Sequence, residues 1–403
     1  MRTMEAKQQQ QQQHEKDTEE ELKRPAGVGV LLHDQYDDEE IIRKLAKAQL
    51  EKRLKWGYKP THQQQLSHLL QFLHCRLHQS LIGLVMLKAT LTRSITLEPR
   101  GTNQARLALP SLNMASEEDS SKAWLYETPT SFLQLLFGNI IKLSGAYYED
   151  QSSTLEEAMI HNMDLCCERA NIKEGQSVLD LGCGYGAFII HVAQKYKTCS
   201  VTGVTSSISQ KHYIMEQCKE LNLSNVEVVL ADLATTELDT TFDRVFALGM
   251  FEEINDCKSF LRRISNWMNP DGLLFVEHLC HKTFAYQNKP IDDEDWYNEY
   301  IFPSGGLIIL SASSLLYFQD DLSIVNHWTY NGKHIARSCE QLVETIDGKK
   351  EKMEEIFKEF YGTEEDAIRY INYWRLFYIT ATEMFGYNDG EEWMGAHVLF
   401  EKK

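Results

Sequence analysis

Ser177-Val-Leu-Asp-Leu-Gly-Cys-Gly-Tyr-Gly186 is an apolar run that ends in a glycine-rich turn, and an apolar stretch from Phe188 to Lys197 follows at helical spacing. Strand, tight turn and helix in that order open a βαβ unit. Working outward, further strands are expected at 200–205, 226–231, 244–248 and 273–278, alternating with helical stretches, and 393–400 alternates like a closing edge strand. The expected fold is therefore α/β, with a doubly wound, mainly parallel sheet. Upstream, Thr154-Leu-Glu-Glu157 has the form of a capping box, and Leu155, Met159, Met163 and Cys167 share one face of the helix it opens.

The same turn carries chemistry. A bare G-x-G-x-G is weak evidence, since dinucleotide-binding turns read G-x-G-x-x-G against a pyrophosphate. Here Asp180 stands two residues before the first glycine. A carboxylate in that place suits the ammonium of a methionine moiety, while Gly182 and Gly184 let the backbone approach a ligand without a side-chain clash. Thr205, with Ser209 and Gln210 behind it, ends the second strand where ribose hydroxyls would be held, and Asp232 follows the third where an adenine amino group could donate. Singly, Thr205 and Asp232 could be a helix cap and a turn residue; in this order they spell a site for S-adenosyl-L-methionine.

Bulk properties narrow the partners. The chain has 403 residues, 43% of them hydrophobic, and a formal net charge of −18. That charge opposes binding to nucleic acid or to an anionic membrane, and a homodimer is compatible with it. Nine cysteines, an odd number with no paired C-x-x-C spacing, predict a reduced compartment and no metal site. The N-terminus lacks a secretory h-region and no apolar run reaches membrane-span length, so a cytoplasmic location is expected. Residues 1–36, with the run Gln8 to Gln13, read as a disordered tail. Residues 37–150 read as an N-terminal helical cap, with Ile41, Ile42, Leu45, Leu50 and Leu54 and then Leu66, Leu69, Leu70 and Phe72 at helical spacing. Within it, 75–112 is basic (Arg76, Arg93, Arg100, Arg106) and out of keeping with both flanks. Residues 151–403 form the catalytic domain.

These motifs resemble the plant coclaurine N-methyltransferase family, whose members act on coclaurine, reticuline, tetrahydroprotoberberine and pavine alkaloids and are related to cyclopropane fatty acid synthases. The carriers are EKRLKWGYKPTHQQQL (51–66), YETP (126–129), CERANIKEGQSVLDLGCGYG (167–186), SNVEVVLAD (224–232), LLFVEHLCHKTFAY (273–286), EDWYNEYIFPSG (294–305), LLYFQDDLSIVNHW (315–328) and NDGEEW (388–393). The resemblance covers about 37–74 and 114–403. It leaves 75–112 as an atypical insertion, a gene-model artefact or an ordinary extra helix and loop. It implies a seven-stranded class I methyltransferase sheet with an inserted substrate-binding region at about 281–325, and N-methylation of an alkaloid amine in the cytosol. It also implies cofactor contacts from Ser144 and Gly145.

Methyl transfer from a sulfonium asks the protein to align a neutral nitrogen with the methyl carbon and to exclude water. A carboxylate or imidazole helps by taking the amine proton or stabilising the cationic product. The resemblance places Glu127 and Glu252 in those roles. Where members typically read Glu-His, this chain has Glu252-Glu253, and Gly249 stands where some members have a further glutamate. Glu253 would thus stabilise positive charge in the histidine's place. Among the aromatics Trp296, Tyr297, Phe302, Tyr317, Trp328 and Tyr330, Trp296 and Trp328 are the expected pocket walls for a cationic amine. Tyr378 occupies a position that is cysteine in cyclopropane synthases, which weighs against the two alternatives' stronger member, a lipid-modifying enzyme; the other is an inactive methyltransferase-like binding protein.

Overall fold

The computed structural model describes residues 39–69, 71–72, 128–292, 295, 301 and 306–403. The Gln-rich tail, the basic segment 75–112, Glu127 and Trp296 lie outside them. Helix α1 (Glu39–Gly57) is followed by helical residues at 62–69, then by α2 (Thr130–Phe137) and α3 (Leu155–Arg169). The capping box is formed: Thr154 accepts from the Glu157 amide and Glu157 returns to the Thr154 amide. Then come β1 (Ser177–Leu181), α4 (Ala187–Lys195), β2 (Ser200–Thr205), α5 (Ile208–Glu220), β3 (Val226–Leu230) and β4 (Phe242–Leu248). After β4, α6 (Cys257–Asn266) leads to β5 (Met268–His281), β6 (Tyr286–Gln287), β7 (Ile308–Ser311) and β8 (Leu322–Tyr330). A long helical hairpin, α7 (Lys333–Tyr361) and α8 (Glu364–Gly386), precedes the closing strand β9 (Trp393–Lys402).

The order β3-β2-β1-β4-β5-β9-β8, parallel through β5 and antiparallel at β9 and β8, is the expected seven-stranded sheet. Two short strands raise the total to nine. They arise because β5 continues to His281, which leaves Cys280 and His281 to pair with Leu310 and Ser311 of β7, and β7 in turn pairs with β6. Apolar clusters fill both faces, with Phe246 and Phe275 toward α3 and α4 and Val245, Leu274 and Val276 toward α6.

The cap is not N-terminal alone. Its core joins Leu50 of α1 and Phe132 and Leu136 of α2 to Ile346, Phe357, Trp374 and Phe385 of the α7–α8 hairpin. Arg43 clamps α1 to that hairpin, 2.8 Å from Glu340 and 3.0 Å from Glu383. Arg53, buried, donates to the Lys289 carbonyl at 2.9 Å and lies over the Tyr286 ring. The cap thereby closes over the carboxyl ends of the strands, where an open α/β sheet binds ligands. No helix among the described residues is long and apolar enough to cross a membrane.

Candidate active site

Strand order reverses between β1 and β4, so their exits flank one crevice. Gly182, after β1, has φ +71°, and a Cβ there would come within 2.7 Å of the Met250 sulfur in the turn after β4. The two turns therefore pack directly on each other. Gly184 has φ +52° and no atom within 4 Å of the place a Cβ would take. That open backbone surface suits the close approach of a ligand.

Asp180 is buried and its Oδ1 meets no hydrogen-bond donor among the described residues. Burial pushes its carboxyl up to about 8, with Lys142 opposing. A buried carboxyl with so little compensation is costly unless a cation completes it, and an ammonium would do so. Thr205 Oγ1 donates to Gln210 Oε1 at 2.5 Å, so these two expected ribose contacts meet at the end of β2. Asp232 is exposed after β3 and accepts from the Ala234 amide at 2.7 Å, which holds its turn while the side chain stays on the surface.

On the other side of the crevice, Phe251–Glu253 makes one 3-10 turn. Phe251 is fully buried and anchors it, packing edge-on to Phe260. Glu252 is carried inward: its Oε1 accepts from the Leu279 amide at 2.6 Å and its Oε2 meets no partner among the described residues. Burial, reinforced by the nearby charges of Glu277 and Glu253, pushes this carboxyl up to about 8 despite the Leu279 bond. Glu253 is half-buried beside it. Gly249 has φ +69°, and an added Cβ would press on the Ser144 Cβ at 3.2 Å, so the backbone itself favours glycine there.

Ser144 and Gly145 lie on the segment that crosses the strand exits from α2 toward α3. Lys142, buried, donates to Ser144 Oγ at 2.8 Å and to the Gly145 carbonyl. A Cβ on Gly145 would meet the Tyr330 hydroxyl at 2.5 Å. Trp328, on β8, packs under the Arg169 guanidinium at 4.7 Å, on the sheet face that carries α3. The structure thus gathers Asp180, Gly182, Gly184, Ser144, Gly145 and Glu252 around one crevice, and sets Trp328 and Asp232 to its flanks.

Comparison with known proteins gives the family of the chain. Residues 114–388 match the mycolic acid cyclopropane synthetase family. The chain is 48% identical over 371 residues to pavine N-methyltransferase of Thalictrum flavum subsp. glaucum, covering 92% of this chain and 95% of that enzyme. It is 46% identical to (S)-coclaurine N-methyltransferase of Papaver somniferum, covering 95% and 98%. The chain belongs to the coclaurine-type N-methyltransferases. A solved structure of coclaurine N-methyltransferase bound to N-methylheliamine and S-adenosylhomocysteine superposes with a TM-score of 0.78 at 43% identity, over 94% of this chain and 100% of that one.

As a coclaurine-type N-methyltransferase, the chain uses S-adenosylmethionine. The bare carboxyl of Asp180 and the glycines beside it fit that cofactor's amino-acid end. A pH dependence follows. If Asp180 receives the cofactor's ammonium it must be ionised to do so, and affinity for S-adenosylmethionine is then expected to rise close to tenfold per pH unit below about pH 8. Calorimetry in two buffers of different ionisation heat at pH 6.5 should show about one proton released on binding. A flat affinity from pH 6 to 8.5 would remove Asp180 from the site.

Two groups near the crevice received no role from the sequence: Glu277 within β5 and His397 within β9. Each is a polar side chain inside an apolar strand run, and such a residue demands a partner. That mismatch is the cue that could have found them.

Proposed function

We propose that this N-methyltransferase transfers a methyl group to the nitrogen of a benzylisoquinoline-type alkaloid. The observation that carries the reading is Glu252, a buried carboxyl raised to about 8 at the crevice with one oxygen unpartnered among the described residues. A base poised near neutrality can take the proton that an alkaloid ammonium must lose before its lone pair is available. S-adenosylmethionine supplies the methyl sulfonium, and the chain's own residues hold the amine, accept its proton and keep water out. Glu253 and Glu127 add negative charge around the cationic product, and Trp296 offers an aromatic face to it, whereas the Trp328 ring already lies under the Arg169 guanidinium. The region at about 281–325, of which β6 and β7 are described, is assigned to the acceptor side. The site of action is the cytosol, as the free thiols of all eight described cysteines suit.

The test is purified protein with radiolabelled S-adenosylmethionine, a panel of secondary and tertiary benzylisoquinolines, pavines and tetrahydroprotoberberines, and a phospholipid control. Label in an alkaloid product of one added methyl mass is expected. Label only in phospholipid would identify a lipid-modifying enzyme, and cofactor binding without label anywhere would identify an inactive binder.

The basic segment 75–112 is expected to be dispensable. Removing an insertion of this length changes little loop-closure entropy. Its deletion should keep soluble yield and turnover within about twofold, read by expression level and product mass. A folded deletion without turnover would place the segment in the site.

A further inference from the structure

A buried charge relay lies beneath the cofactor segment. Glu277, 2% exposed, stands opposite Leu248 in the β4–β5 ladder. Its backbone carbonyl accepts from the Gly249 amide at 2.9 Å, which ties it to the turn that carries Glu252. Its Oε2 accepts from Asn162 Nδ2 at 2.9 Å and from His397 Nε2 at 2.8 Å. The tautomer follows from the next link: Arg169 can only donate, and its Nη1 lies 2.6 Å from His397 Nδ1, so Nδ1 accepts and Nε2 carries the proton. The imidazole is then neutral, which agrees with its burial lowering its basicity. Cys166, Glu277 and His397 come within 4.8 Å of one another, but both imidazole nitrogens are already engaged.

The other oxygen, Oε1, faces Lys142 Nζ at 3.6 Å. The charge of Lys142 also acts on Asp180, so one buried lysine influences two buried carboxyl groups. Oε1 also lies 3.6 Å from the point where a Cβ on Gly145 would sit, beside the buried Tyr330 hydroxyl. Although burial opposes it, Lys142, His397 and Asn162 hold Glu277 well below the usual carboxylate range, so it is ionised throughout the working range.

We infer that Glu277 is a positioning residue for the cofactor: it draws Lys142 toward Ser144 and Gly145 and away from Asp180, leaving the Asp180 carboxylate free for an ammonium. Without this counter-charge the lysine would swing to Asp180 and neutralise it in place of the ligand. The inference rests on the assignment of Asp180 to the cofactor's amino group.

The experiment measures affinity for S-adenosylhomocysteine by calorimetry from pH 5.5 to 9, which needs no turnover, for wild type, Glu277→Gln, Glu277→Asp, Lys142→Met and the double variant Lys142→Met/Glu277→Gln. The titratable and charged groups that act on Asp180 are Lys142 and the Cys183 thiol; those that act on Glu277 are Lys142, Cys166, His278, His397, Tyr330 and Glu252. Glu277→Gln is expected to weaken binding tenfold or more and to move the midpoint of its pH dependence down by about one to two units, as a lysine pairs with Asp180. Glu277→Asp, which keeps the charge, should restore most of the midpoint, and it serves as the reporter if the glutamine variant does not fold. In the Lys142→Met background, Glu277→Gln should no longer move the midpoint. An unchanged midpoint in a folded Glu277→Gln protein, or an equal shift with and without Lys142, overturns the inference. Asp180→Ala separates the two layers: if it too leaves binding intact, the cofactor assignment has failed, whereas if it alone abolishes binding, only the role of Glu277 has.

Discussion

Asp180→Ala is expected to weaken S-adenosylmethionine binding by roughly 10²- to 10³-fold, since removing one partner of a buried ion pair costs about 3–5 kcal/mol. The fold should survive. In the free protein Asp180 is a buried carboxyl with one oxygen unpartnered among the described residues, so alanine removes a burden rather than a support. The free variant should melt no lower than wild type, while the stabilisation that cofactor confers on wild type should vanish. Gly182→Val is expected to act as strongly by a different route. A β-branched residue at φ +71° is strained, and its Cβ would have to push the Met250 sulfur away from 2.7 Å, which disturbs the turn that positions Glu252. Calorimetry with circular dichroism on both variants checks the pair. Wild-type affinity in either folded variant would mean that the glycine-rich turn does not hold the cofactor.

The parts of this site that were legible are those written in local chemistry. A strand, a glycine turn and Asp180 are neighbours in the chain, and strand, turn and carboxyl stand where expected, with β1 at Ser177–Leu181. The capping box at Thr154 is also local, and it formed as read. Strand β5 was recovered only in its middle, because Met268-Asn-Pro-Asp-Gly272 at its start and Cys280 and His281 at its end lack the apolar continuity that marks 273–278. The α7–α8 hairpin was not anticipated as part of the cap; its buried stripe meets α1 and α2 from the far end of the chain. Least legible was the relay around Glu277. Lys142, the α3 pair Asn162 and Arg169, Tyr330 and His397 come from four separate segments, and only the sheet topology brings them together.

The paired carboxylates decide what kind of N-methyltransferase this is. If Glu252 takes the amine proton, Glu252→Gln is expected to lower kcat/KM by about 10²- to 10⁴-fold, the range for a positioned acid-base group. Its environment gives the pH profile a sign. A base that must be ionised, with its carboxyl raised to about 8, makes wild-type kcat/KM climb as pH rises toward 8, and the glutamine variant should lose that climb. Glutamine can still accept from the Leu279 amide, so the turn keeps its anchor and the loss reports on proton transfer. Glu253→His should cost less, because Glu253 is only half-buried, and it should add a titration near neutrality from the imidazole. Acceptor class sharpens the test. Both acceptors must lose the ammonium proton before attack, but a secondary amine has a second proton to shed in giving a neutral product, whereas a tertiary amine becomes a quaternary cation with none left, so the tertiary acceptor should tolerate Glu252→Gln better. The measurement is kcat/KM against pH for wild type and both variants with one secondary and one tertiary benzylisoquinoline. Full activity of Glu252→Gln on both acceptors would take the pair out of the catalytic centre and leave the reaction to Glu127 or to positioning alone.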